Sequence, residues 1–284
     1  RDFCLSRGLG DVYKRQVKFI SASEPDYVFS PQECRHSTLY MEKRAVQGEP
    51  TVFSETFEYT SCGEWHNLRA EDVLPYDTTT ALYKEYTAER EKHIVFSPRL
   101  RELAAKLTAG ETNPYLKAKR IFRWINDHFP WASAREYSTI ENIPEYVLDN
   151  RHGDCGQVSL LFITLCRISG IPAHFQSGFM MHPRAWNLHD WAEVYFEGVG
   201  WVPVDQSFGI PAFARNADEE YFFLGGIDSW RMIVNTDYGM PLVPEKKYPR
   251  SETVDFQRGE VEWEGGNLYF PQWSYHMDID YLNY

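Results

Sequence analysis

The chain has 284 residues, with 29 basic and 41 acidic side chains and a formal net charge of −12. That acidic balance, with no basic cluster, argues against binding nucleic acid through its phosphate backbone. No apolar run reaches the length of a membrane span, and five cysteines are too few for a disulfide scaffold in a chain this long.

Residues 6–16, SRGLGDVYKRQ, resemble the in-frame translation of a transposon adapter used in sequencing libraries. Residues 1–16 are therefore set aside as non-native. They carry four basic and two acidic residues, so the remainder stands at −14. The native start, with any export signal, is expected upstream of the sequence, and an exported or periplasmic location is the working expectation. Cys4 goes with this segment, leaving Cys34, Cys62, Cys155 and Cys166. Cys34 and Cys62 are either a pair for an oxidising compartment or two separate thiols.

Residues 17–62 read as strands: VKFIS, YVFS, STLYMEKRAV and TVFSETFEYT are β-branched and aromatic, broken by Pro, Gly and Ser. The polar, turn-rich stretch 64–83 marks a boundary. Residues 17–75 thus read as the end of a truncated β-rich N-terminal domain, and 76–284 as a second, larger one.

Helices follow. Ser97 is a candidate N-cap with Pro98 at the first helical position; Leu100, Leu103, Ala104 and Leu107 recur at helical spacing, and Gly110 ends the run. Asn113–Pro114 repeats the start signal, with Ala118, Ile121, Phe122 and Ile125 as the buried stripe and Pro130 as the stop. Residues 156–169, GQVSLLFITLCRIS, are apolar nearly all round, as befits a helix buried on every side. Gly170 and Pro172 close it. Three strand-like runs come next, AHFQSGFM, HDWAEVYF and WVPVD, the last two joined by the turn EGVG. A further hairpin is expected over 261–270. Helices, one central buried helix and then an antiparallel sheet make an α+β fold. Nine Trp and 18 Tyr fit a well-packed core, or aromatic-lined subsites.

Cys155 stands directly before the buried helix, in RHGDCGQVSLLF. A helix N-terminus offers free N–H groups and partial positive charge, which favour a thiolate and a low thiol pKa. Gly153 and Gly156 flank it and read as room for an approaching carbonyl, with the Cys155 N–H as one oxyanion donor. A buried core cysteine is the competing reading. Cys166, three turns further on among Leu161, Leu165 and Ile168, reads as packing.

In HDWAEVYF, alternation puts His189, Trp191, Glu193 and Tyr195 on one face and Ala192, Val194 and Phe196 on the core face. Val202 and Val204 are the core set of the next strand, which turns Asp205 toward the face of His189. A base that reaches the thiol and a third group that orients the base complete a nucleophilic triad. His182 and His189, seven apart, lack the spacing of a metal site; no metal and no organic cofactor are expected.

HGDCGQVSLLFITLCRISGIPAHFQSGF followed by HDWAEVYFEGVGWVPVDQSFG resembles the core of the transglutaminase-like superfamily, over about residues 98–209. The resemblance implies a papain-like fold with Cys155 as nucleophile, His189 as base and acid, and Asp205 as orienter. It further implies acyl-enzyme chemistry on an amide or peptide bond of a peptide or protein substrate. Water as acceptor makes a protease or amidase, the first choice; an amine makes a cross-linking transferase. A non-catalytic binding module that kept the fold is the third reading. His174 departs from the Arg that many relatives carry after GIPA, and is placed beside the site. Trp131, in DHFPWAS, occupies roughly the position of an aromatic residue in bacterial relatives; it is the candidate for the second oxyanion donor, against a packing role. Residues 210–284 carry no assignable chemistry and read as a cap on the cleft or as structural padding.

Overall fold

The computed structural model describes residues 17–133, 135–269 and 271–282; the adapter-like segment 1–16 lies outside the described residues. The N-terminal stretch forms two small antiparallel pairs. β1 (Val17–Ala22) pairs with β4 (Glu55–Tyr59), and β2 (Tyr27–Phe29) with β3 (Leu39–Met41). A third short strand, β5 (Glu64–Trp65), pairs far along the chain with β9 (Gly226–Ile227).

The helices begin where their caps dictate. After the short α1 (Ala81–Tyr86), α2 (Pro98–Leu107) starts at Ser97, whose hydroxyl accepts from Leu100 N at 3.2 Å. α3 (Pro114–His128) starts at Asn113, which accepts from Leu116 N at 3.2 Å. Each has proline at its first position, where no helical N–H is lost. α3 buries Ala118, Ile121, Phe122 and Ile125, the stripe expected from spacing. α4 (Ile143–Asn150), which the sequence reading passed over, is likewise capped by Asn142 with Pro144 in its first turn.

The central helix, α5 (Cys155–Ile168), is buried along nearly its whole length. Leu160, Leu161, Phe162, Ile163, Leu165 and Cys166 have no exposed surface. It ends on Gly170 in the left-handed region (φ +75°), where Ile171 N returns to Cys166 O at 2.9 Å.

One face of α5 rests on a four-stranded antiparallel sheet. Its strands are β6 (Ala173–Met180), β7 (Asn187–Phe196), β8 (Gly200–Val204) and β10 (Arg231–Thr236), in the order β10-β6-β7-β8. The β7–β8 register sets Ala192 opposite Val204 and Val194 opposite Val202. All four, with Phe196, are fully buried against the helix, so the core face is the one alternation assigned. The opposite face is not open: Trp191 and His189 there are also buried. A short helix, α6 (Ala217–Glu220), and the hairpin of β11 (Val261–Trp263) and β12 (Gly266–Leu268) complete the described α-helices and strands, beside two 3-10 turns at Ala70–Asp72 and Tyr137–Thr139.

β10 is the strand that composition concealed, and Gly178 admits it. A Cβ at Gly178 would sit 1.8 Å from Met232 O, so only glycine lets the two backbones meet there. The outer edge of β10 is covered in turn by the N-terminal stretch. Ser37 N donates to Val234 O at 3.0 Å and Thr236 N to Arg35 O at 2.7 Å. The mixed fold matches the α+β expectation.

Candidate active site

The local chain at Cys155 is fixed by a capping box. The Asp154 carboxylate accepts from Gln157 N at 3.0 Å, and Gln157 Oε1 accepts from Asp154 N at 3.3 Å. The D-x-x-Q spacing is that of a capping box. Cys155 therefore opens α5, as expected, and keeps part of its surface exposed while its sulfur is turned inward.

His189 lies near the start of β7. Its Nε2 hydrogen-bonds Asp205 Oδ2 at 2.7 Å. Asp205 follows β8 directly and has no exposed surface. Its second oxygen accepts from the backbone N–H groups of Ser207 (3.1 Å) and Phe208 (3.0 Å). Arg231, the first residue of β10, brings Nη1 to 2.9 Å from Asp205 Oδ2 and is itself held by Asp228 at 2.7 Å. Burial alone would push the Asp205 carboxyl up; the charges of His189 and Arg231 outweigh it and hold the carboxyl below the usual range. With Nε2 committed to Asp205, Nδ1 is the ring nitrogen left for proton transfer.

The structure thus joins His189 to Asp205. Among the described residues no hydrogen bond joins His189 to the thiol; instead Cys155 Sγ donates to Asp190 Oδ2 at 3.4 Å. Asp190 shares the core face of β7 with Ala192 and so points at the start of α5. Its other oxygen accepts from Gln257 Nε2 at 2.6 Å. Tyr137 OH donates to Asp154 Oδ1 at 2.6 Å and lies 3.4 Å from Asp190 Oδ2. Burial, then the carboxyls of Asp190 and Asp154, push the Cys155 thiol well above its ordinary value. The helix N-terminus led us to expect a low one; burial of the sulfur, with the carboxyls of Asp190 and of Asp154, its neighbour in sequence, acts the other way.

Two further expectations are corrected. Gly156 does not leave room for a substrate carbonyl: a Cβ there would meet Tyr137 OH at 2.4 Å and Asp190 Oδ2 at 2.7 Å, so the glycine makes room for those side chains. His174 does not stand beside the thiol. It pairs with Glu193 at 2.9 Å and packs edge-on to Trp201, four residues along the sheet from the level of His189. Cys166 is buried in the core. Cys34 and Cys62 are not joined in a disulfide.

Trp131 is exposed, and its backbone bridges Gly153 beside the nucleophile, with Ala132 N donating to Gly153 O at 3.1 Å. It lines a cleft of about 150 Å³ with Phe129, Pro130, Gly153, Gln206 and Ser207. The cleft therefore runs between the residues just before Cys155 and those just after Asp205.

Residues 101–206, which include Cys155, His189 and Asp205, match the profile of the transglutaminase-like superfamily. This segment belongs to that superfamily. The chain is 26% identical over 140 residues to YebA, an uncharacterised protein of Bacillus subtilis, covering 42% of this chain and 19% of YebA. It is 23% identical over 125 residues to a protein-glutamine gamma-glutamyltransferase of Pseudomonas aeruginosa, covering 40% of this chain and 19% of that protein. The chain thus spans about a fifth of the curated relatives it matches. Among solved structures, a candidate cysteine protease from Cytophaga hutchinsonii superposes with a TM-score of 0.53 at 18% identity. That superposition covers 78% of this chain and 71% of the other, and it establishes the shared fold.

The matched segment contains Cys155, the cysteine that opens α5. Of the residues missed in the sequence, Asp190 lay inside a motif, in HDWAEVYF, while Arg231 stood in a strand with no alternation to announce it and Gln257 in a stretch with no regular structure.

Proposed function

We propose that the chain is a cysteine enzyme cleaving amide or peptide bonds, with Cys155 as nucleophile, His189 as base and acid, and Asp205 as orienter. The observation that carries this reading is the buried His189–Asp205 pair at 2.7 Å, made from Nε2, beside a cysteine that opens a buried helix. Asp205 fixes the tautomer and ring orientation and stabilises the imidazolium when it forms.

In the reaction the Cys155 thiol turns from Asp190 toward His189, a rotation about its own Cα–Cβ bond. Its proton passes to His189 Nδ1 as sulfur attacks the carbonyl carbon. The resulting oxyanion is met by the Cys155 N–H at the helix start, with the Trp131 side of the cleft as the second candidate. His189 then returns the proton to the leaving nitrogen, the C–N bond breaks, and a thioester remains. Water, deprotonated by His189, attacks the thioester and restores the thiol. Because the resting thiol is held neutral, proton transfer accompanies attack and no preformed ion pair is needed.

The second reading, transfer of the acyl group to an amine, is favoured by the match to a protein-glutamine gamma-glutamyltransferase. Incubation with a reduced protein substrate such as casein, with and without a fluorescent primary amine, separates the two. We expect new peptide termini and a thioester-linked adduct at Cys155 by mass spectrometry, both lost in Cys155→Ala. Amine incorporation without cleavage would establish the transferase instead. Full turnover in Cys155→Ala would refute both.

A further inference from the structure

Gln257 comes from a stretch with no regular structure, yet it is buried against the start of β7. Its single amide nitrogen reaches two acceptors there, Asp190 Oδ1 at 2.6 Å and the backbone carbonyl of His189 at 3.4 Å. It therefore spans the residue that holds the thiol and the one that is to receive its proton. Asp190 is itself buried, and its other oxygen holds the Cys155 sulfur.

We infer that Asp190 is a resting-state partner of the nucleophile that keeps the Cys155 thiol neutral and turned from His189, and that Gln257 is the positioning residue that holds Asp190 in that place. The inference rests on the reading of Cys155 as nucleophile. A carboxylate beside a sulfur opposes its ionisation by like charge, whereas a thiol can donate to it. The hydrogen bond from Gln257 favours the ionised carboxyl and so strengthens the hold. Other groups bear on the same carboxyl from each side. Asp154 and Cys155 face it from the start of α5, Tyr137 from the turn before α4, and Glu252 and Asp255 from the C-terminal stretch. Arg258 sits beyond these, 3.7 Å from Glu252. Burial and then Asp154 push the Asp190 carboxyl up to about 8, so its charge beside the sulfur develops above neutrality, while at lower pH the hydrogen bond alone holds the thiol.

The test is the rate at which a small neutral haloacetamide alkylates Cys155, followed on its peptide by mass spectrometry between about pH 5 and 9. No substrate is involved. Asp190→Asn keeps the shape and removes the charge that Asp190 carries above about pH 8; it should raise the rate at pH 9 about tenfold, equivalent to lowering the thiol pKa by one unit. Gln257→Ala should raise it about threefold. The double variant should react no faster than Asp190→Asn alone, because Gln257 acts through Asp190. An Asp190→Asn rate at pH 9 equal to or below that of the wild type would overturn the inference, as would multiplicative effects in the double variant. If Asp190→Asn does not fold, Gln257→Ala decides: a merely structural glutamine would lower the melting temperature and leave the alkylation profile unmoved. A shifted profile beside full turnover in Cys155→Ala would instead keep the thiol device and sink the proposed function.

Discussion

Replacing Asp205 with Asn keeps the size of the side chain and removes the charge that pairs with both His189 and Arg231. In a serine triad that change costs about four decades in rate, through loss of the correct tautomer. A thiol is the better nucleophile, so we expect Asp205→Asn to lose roughly two to three decades of kcat, with Cys155 still open to alkylation. A kcat within a factor of two of the wild type would assign the orienting role elsewhere. Cys166→Ser is the matched control. Its hydroxyl would be buried among apolar neighbours at a cost of about 1–3 kcal/mol, so stability should fall while turnover persists. At this scale the sequence was informative where chemistry comes with a motif. Cys155 at a helix start, His189 in H-x-W and Asp205 after a β-run were all readable. Asp190 was not, because a carboxylate on the core face of a strand looks like an interruption of the apolar pattern until its partners are known.

Secondary structure carried most of its own signal. Caps at Ser97 and Asn113 fixed where two helices begin, and the run 156–169 gave the buried helix to within one residue. β6, β7 and β8 fell where alternation put them. β10 did not announce itself: RMIVNT is short and has a register shift between Ile233 and Asn235. Pairing with β6 is what makes it a strand, and that pairing depends on a residue far away in sequence. Gly178→Ala tests the connection. The added methyl would drive β10 from β6 at Met232, and β10 carries Arg231, which holds Asp205. We expect a loss of stability of roughly 2–3 kcal/mol by chemical denaturation, with a fall in kcat even under conditions where the variant stays folded. Unchanged kcat in the folded variant would mean that the Arg231–Asp205 contact does not depend on this strand pairing.

Across the whole molecule, long-range contacts decide what the flanking stretches are for. Asp237 beside β10 is held by Arg35, at 2.7 Å, and by Arg90. The C-terminal stretch, which composition left as cap or padding, brings Glu252, Asp255 and Gln257 against Asp190 and Asp154. No local pattern could have revealed this, because each carboxylate taken singly reads as a solvated surface residue.

That cluster sets a pH dependence whose sign follows from linkage. Burial, with neighbouring carboxyls, raises Asp190 to about 8 and Glu252 to about 9, and lifts Asp255 well above its ordinary value. In the unfolded chain these groups titrate near 4. Between roughly pH 4 and 9 the folded protein therefore holds more protons than the unfolded one, and stability falls as pH rises. Asp205 and Glu260 run the other way. Burial opposes their ionisation, but His189 and Arg231 in one case and Arg250 and Lys246 in the other hold them low. Their contribution is present above about pH 4 and is lost as pH falls through their folded values. The two sets together place maximum stability on the acid side of neutrality. We expect the melting temperature to drop from pH 5 to pH 9 by several degrees, since about 1 kcal/mol corresponds to some 2–4 °C in a chain of this order. Asp190→Asn removes one of the rising groups, so it should flatten the slope and gain relative to the wild type at pH 9. A wild-type melting temperature that stays level or climbs between pH 5 and 8 would show that the cluster is ionised without penalty, and that Arg258 or water satisfies it in the folded state.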